Sequence, residues 1–141
     1  MIDLFCIFTT GGLILWYKTF VSETFEATIN KLIKDILLDQ KRNQDSFNDK
    51  GRIMKWKVNN ESGLIFLVAF KEDYGVLYVD QLLDFVSKDF ANHNLKTLKR
   101  NGKLYLETVN YEDSFMEMLR KWERFCKEKL TYFSFVIFIL I

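Results

Sequence analysis

The side chains able to do acid–base chemistry in this chain come as carboxylate pairs. Asp80 and Asp84 stand four residues apart where Val79, Leu82, Leu83, Val86 and Phe90 repeat at helical spacing, so both carboxylates fall on one helix face. Glu112 and Asp113 open a second such stretch, carried by Phe115, Met118, Leu119, Trp122 and Phe125. Two carboxyl groups held together can divide acid and base roles between them. The same spacing also describes a solvated helix face, with acidic residues complementing the dipole of a first turn, so the pairs alone do not make a site. His93, the single histidine, lies at the polar end of its helical stretch between Asn92 and Asn94, with no serine or cysteine placed beside it by a motif.

Cys6 and Cys126 form no CxxC and have no neighbouring histidine pair, which removes a zinc or redox centre and leaves two free thiols suited to a reducing compartment. No GxxxxGK[ST] phosphate loop, GxGxxG turn, GxSxG elbow or HExxH pair occurs. Lys96, Lys99, Arg100 and Lys103 make a basic cluster, but the aromatic interleaving of a nucleic-acid platform is missing, and a net charge of +1 supplies no general field for a polyanion. The expectation is a chain with no catalytic residue, no bound cofactor or metal and no direct nucleic-acid contact, whose work is to bind another protein.

The elements that hold these residues follow from hydrophobic spacing. With 141 residues, 49% of them hydrophobic and 16% aromatic, the chain suffices for one core in one domain. Its start, MIDLFCIFTTGGLILWYK, is neither an export signal nor a membrane span: Asp3 precedes the apolar run, Lys18 follows it, and Thr9, Thr10, Gly11 and Gly12 break it. It predicts a hairpin, Ile2 to Phe8 and Leu13 to Tyr17, turned at the glycines. Leu4, Cys6 and Phe8 face one way and Phe5 and Ile7 the other, so the first strand needs cover on both faces.

Ser22 is the expected cap of a first helix, with Glu23 and Glu26 in its opening turn and Phe25, Ile29, Leu32, Ile33, Ile36 and Leu37 as its apolar stripe. The polar run DQKRNQDSFNDKG reads as a loop. Arg52 to Val58 alternates, with Met54, Trp56 and Val58 on one side and Ile53, Lys55 and Lys57 on the other, while Leu64 to Phe70 is apolar on both faces and belongs at the sheet centre. The two helical stretches already described follow, joined by a basic segment with an Asn101-Gly102 turn, where Leu104 and Leu106 tack the segment to the core. Consecutive hairpins and three helices give an α-β-α sandwich of the α+β class.

Three stretches, MIDLFCIFTTGGLILW, SGLIFLVAFKE and LYVDQLLDFVSKDF, in this order and spacing, resemble the N-terminal SRX domain of signal recognition particle receptor alpha subunits, a longin or SNARE-like fold. The likeness runs from Met1 to about Lys129, and the Gly-Gly turn with Trp16 is its most specific part. It implies a five-stranded antiparallel sheet with one helix on one face and two on the other, and a short extra strand at Ser46 to Asp49. It also implies docking on the receptor beta subunit, a membrane-anchored small GTPase that carries the GTP. The alpha subunit would thereby be held on the cytoplasmic face of the endoplasmic reticulum, with signal recognition particle and ribosome as indirect partners and membrane association through the GTPase. The expected contacts are the turn Thr10, Gly11 and Gly12 and the outward face of the first helix at Glu26, Asn30, Lys31 and Lys34. A rival is a longin-type small subunit of a vesicle coat, of similar length and fold.

The family pattern continues into a charged linker, whereas here Lys129 is followed by LTYFSFVIFILI. Twelve residues of helix reach about 18 Å, short of the bilayer core. The expected division is therefore residues 1–129 as the domain and 130–141 as an apolar tail outside the fold. Translated AT-rich non-coding sequence has the same Phe and Ile bias, so a misassigned or alternative chain end after Lys129 is expected, which transcript sequencing reads: a message continuing into a charged linker supports it and a genuine stop refutes it.

Overall fold

The structure, a computed structural model, describes residues 2–21, 26–38, 45–49, 51–71, 78–93, 99–100, 103–104 and 111–140. The elements are β1 (Ile2–Thr9), β2 (Ile14–Thr19), α1 (Glu26–Leu38), β3 (Ser46–Asp49), β4 (Arg52–Asn59), β5 (Leu64–Lys71), α2 (Val79–His93), β6 (Lys99–Arg100), β7 (Lys103–Leu104) and α3 (Glu112–Leu140). Five strands form one antiparallel sheet in the order β2-β1-β5-β4-β3, and β6 pairs with β7 across the expected Asn101-Gly102 turn. That turn itself, the cap Ser22 and the side chains of Leu104 and Leu106 lie outside the described residues.

The two apolar-on-both-faces runs occupy the centre, where a strand must be covered twice. Ile29, Leu32 and Ile33 of α1 pack with Leu4, Cys6, Phe8, Met54, Trp56 and Leu67 on one face. Leu82, Val86 and Phe90 of α2 and Phe115 and Leu119 of α3 pack with Phe5, Ile7, Phe66 and Val68 on the other. One helix against two is the sandwich expected.

Register supplies what alternation could not. Ile2 pairs with Phe70 and Leu4 with Ala69, so Asp3 is an extra residue in β1. A β-bulge of this kind turns the next side chain to the opposite face, and Ile2 accordingly joins the α2–α3 core while Leu4 joins the α1 core. Asp3 is buried there, and its carboxylate accepts a hydrogen bond from Arg52 Nε at 3.1 Å. A second bulge falls at Leu15, between the pairs Ile7–Trp16 and Phe8–Ile14. It lets Leu15 and Trp16 both pack on the core of the α2–α3 side, where Trp16 meets Phe115 at 4.9 Å and Tyr111 edge-on at 5.5 Å.

Three expectations are corrected. The second strand is Ile14–Thr19, because Leu13 is spent closing the turn through its carbonyl, which accepts from Thr9 N. The polar run after α1 contains β3, whose pairing with β4 supplies the order that its SFND composition does not. Phe125, placed on the inward stripe of the third helix, is 46% exposed, its ring against Trp122 of the same helix at 5.7 Å.

Candidate partner-binding surface

The hairpin turn is rigid and clamped at both sides. Gly12 N donates to Thr9 O at 2.9 Å and Leu13 N to Thr9 Oγ1 at 3.0 Å, while Gly12 sits at φ +92°, which an L side chain resists. Thr10 N donates to Gly63 O at 2.9 Å, tying this turn to the one between β4 and β5. Thr10 and Gly11 face solvent. On α1, burial of Ile29, Leu32 and Ile33 puts Asn30, Lys31 and Lys34 on the outer face as expected. Glu26 opens the helix, with its side chain outside the described residues. The expected contacts thus form two features, a turn at the end of the sheet and the outer surface of the helix over one face.

An apolar patch that sequence reasoning missed stands beside the turn. Ile14 is paired with Phe8 and Tyr17 with Cys6, which puts both side chains on the α1 side of the sheet. Yet Ile14 is 36% exposed, Tyr17 60% and Leu13 39%, because β2 is an edge strand. The only hint in the sequence was an apolar run longer than its turn required.

The carboxylates belong to the framework. Lys55 Nζ donates to Asp80 at 3.0 Å, and Lys57 and Lys88 donate to Asp84 at 2.5 and 3.1 Å. The hydrogen bonds from Lys57 and Lys88 hold the Asp84 carboxyl below its ordinary value, so it stays ionised and ties α2 to β4. Glu112 accepts from Lys18, joining α3 to β2. The Tyr111 hydroxyl is pushed far above its usual range by burial and by its 2.6 Å hydrogen bond to Asp89. Burial likewise pushes the Cys6 thiol up to about 12, far from a reactive thiolate. Among the described residues no group of three or more metal-ligating side chains gathers. His93 ends α2, and the side chains of Lys99, Arg100 and Lys103 lie outside the described residues, as does Lys96.

A family model, the N-terminal region of the signal recognition particle alpha subunit, matches residues 27–127. The chain belongs to this receptor alpha-subunit family. It is 32% identical over 129 residues to the signal recognition particle receptor subunit alpha of mouse and of human, 90% of this chain and 20% of each relative. It therefore spans about a fifth of the length of these curated relatives. The mammalian signal recognition particle receptor structure superposes with a TM-score of 0.61 at 29% identity over 88% of this chain and 96% of that one. The SRX domain from the SRb-GTP/SRX complex of Chaetomium thermophilum superposes with a TM-score of 0.69 at 23% identity over 85% and 97%, a likeness of fold. Family membership decides against the vesicle-coat rival. The matched region is the amino-terminal SRX domain of the receptor subunit, of longin-like fold.

Proposed function

We propose that this domain docks on the receptor beta-subunit GTPase in its GTP-bound state, and so holds its alpha subunit at the cytoplasmic face of the endoplasmic reticulum to receive signal recognition particle and ribosome. The observation that carries this is the exposed trio Leu13, Ile14 and Tyr17, an apolar centre at the edge strand β2, whose one partner in the sheet is β1. Thr10, Gly11 and Gly12 border it at the end of the sheet, and Asn30, Lys31 and Lys34 supply polar groups on the helix over the same face. Such a centre with a polar rim is the anatomy of a protein interface. A relative of the same fold is known in complex with a GTP-loaded beta subunit, which supports the choice of partner. The GTP belongs to that partner.

In this reading residues 1–129 are the docking unit and residues 130–141 stand outside it. Charge reversal at Lys34 or substitution of Asn30 by Ala weakens GTPase binding if the outer face of α1 takes part. Unchanged affinity in both variants removes that face and leaves the β2 edge.

A further inference from the structure

The third helix continues past the start of the helix it packs on. α2 and α3 are antiparallel: Phe90 meets Tyr111 at 5.1 Å at one end, Phe85 meets Trp122 at 5.2 Å further along, and the Tyr78 hydroxyl donates to Glu123 at 3.2 Å where α2 begins. From Glu123 to Leu140 the helix axis continues for about 25 Å past that level, at 1.5 Å per residue. α2 does not extend with it, since α2 begins at Val79, next to the Tyr78 that meets Glu123.

Sequence along this projecting half changes in two steps. Residues 120–129 hold five basic side chains, Arg120, Lys121, Arg124, Lys127 and Lys129, against Glu123 and Glu128. The first four of the five are exposed wherever their side chains are described. Residues 130–140 then carry no charge, and apart from Thr131, Tyr132 and Ser134 they are aliphatic or phenylalanine, a composition that a core or a lipid phase accepts better than water. Within the basic segment, five to eight residues before the apolar run, Trp122 and Phe125 stand 5.7 Å apart with Phe85 of α2 against Trp122, the two phenylalanines 49% and 46% exposed. Aromatic rings interleaved with basic residues suit the headgroup level of a bilayer.

We infer that the projecting end of α3 is a lipid-docking element: residues 130–140 enter one leaflet, the aromatic trio rests at the interface, and the basic residues lie against anionic headgroups. No described helix is long and apolar enough to cross a membrane, and eleven residues, about 16 Å, suffice for one leaflet. Net positive charge next to the apolar run chooses lipid over a second copy of this chain, because two like-charged collars would repel.

The test is flotation of the whole chain, without any GTPase, with vesicles of phosphatidylcholine alone or mixed with phosphatidylserine. The chain is expected to float with the mixed vesicles and to be released as salt rises. Each basic residue near an anionic surface is worth about fivefold in partition, so Lys121→Gln, Arg124→Gln and Lys127→Gln together lower binding on the order of 100-fold. Ile137→Asp with Ile139→Asp abolishes it, while circular dichroism of the Gln variant, altered only at exposed positions, stays unchanged. Failure to float, flotation indifferent to both variant sets, or a tail-dependent dimer in vesicle-free buffer in place of flotation overturns the inference.

Discussion

Removal of Arg52 is the sharpest test of how β1 is held. Asp3 occupies the β1 bulge with a side chain only 7% exposed, and Arg52 Nε reaches it at 3.1 Å from the start of β4 while remaining 21% exposed itself. At that separation an effective dielectric near 20 gives a Coulomb attraction of about 5 kcal/mol, most of which repays the desolvation of the carboxylate. Losing one partner of a buried pair typically costs about 3–5 kcal/mol, because the survivor stays buried and uncompensated. The two partners are not equivalent: Arg52 can turn toward water, whereas Asp3 is fixed by the bulge and by Phe20 N, which donates to its backbone carbonyl at 2.8 Å. Arg52→Ala is therefore expected to cost about 3 kcal/mol, and Asp3→Asn, which keeps an acceptor for the guanidinium, about 1–2 kcal/mol. Urea unfolding followed by tryptophan fluorescence reads this as a lower midpoint at unchanged slope. For a chain of this size about 3 kcal/mol also lowers Tm by roughly 10 °C. A loss below about 0.5 kcal/mol for Arg52→Ala, or a larger loss for Asp3→Asn than for Arg52→Ala, refutes the asymmetry.

Three further outcomes are expected. Gly12→Ala costs about 1–2 kcal/mol because φ +92° strains any L residue, while Gly11→Ala, whose new methyl would meet only Thr9 Oγ1 at 3.6 Å, costs less than half as much; equal losses in urea melts contradict this. In a Cys126→Ser background the Cys6 thiol, raised by burial, reacts with a disulfide reagent at pH 8 only as fast as the protein opens globally, and immediate labelling of the folded protein contradicts its placement. Tyr17→Ala, which trims a side chain that is 60% exposed, changes stability by less than about 0.5 kcal/mol yet weakens beta-subunit binding by 10-fold or more, on the order of an interface hot spot; an unaltered dissociation constant excludes β2 from the contact.

How much of this was legible in the sequence varies with the physics behind each feature. β1 and β5 were readable as central strands because continuous apolar runs need two covered faces, and β4 because Met54, Trp56 and Val58 alternate with lysines. The two bulges were not, since they are properties of pairing: nothing in IDLF marks Asp3 as the extra residue, and only the shift between Phe70 and Ala69 reveals it. β3 was hidden in the same way, a polar tetrapeptide whose order comes from its neighbour and which only the family resemblance suggested. Local signals, glycine and helical period, placed the turn Thr10 to Gly12 and the outer residues of α1 in the fold, while their choice as contacts came with the family resemblance. Ile14 and Tyr17 escaped because an apolar residue in a strand reads as core, and their exposure arises from the edge position of β2 and the bulge at Leu15. Asp80 and Asp84 were readable as neighbours on one helix face, but their partners Lys55 and Lys57, 25 and 27 residues away, required the sheet to be assembled.

The most direct measurement is the affinity of this chain for the cognate receptor beta-subunit GTPase loaded with a non-hydrolysable GTP analogue, loaded with GDP, and empty, by calorimetry in vesicle-free buffer. The proposed docking requires tight binding with the GTP analogue and a loss of at least 10-fold with GDP or without nucleotide. Equal affinity in all three states, or no binding in any, contradicts it.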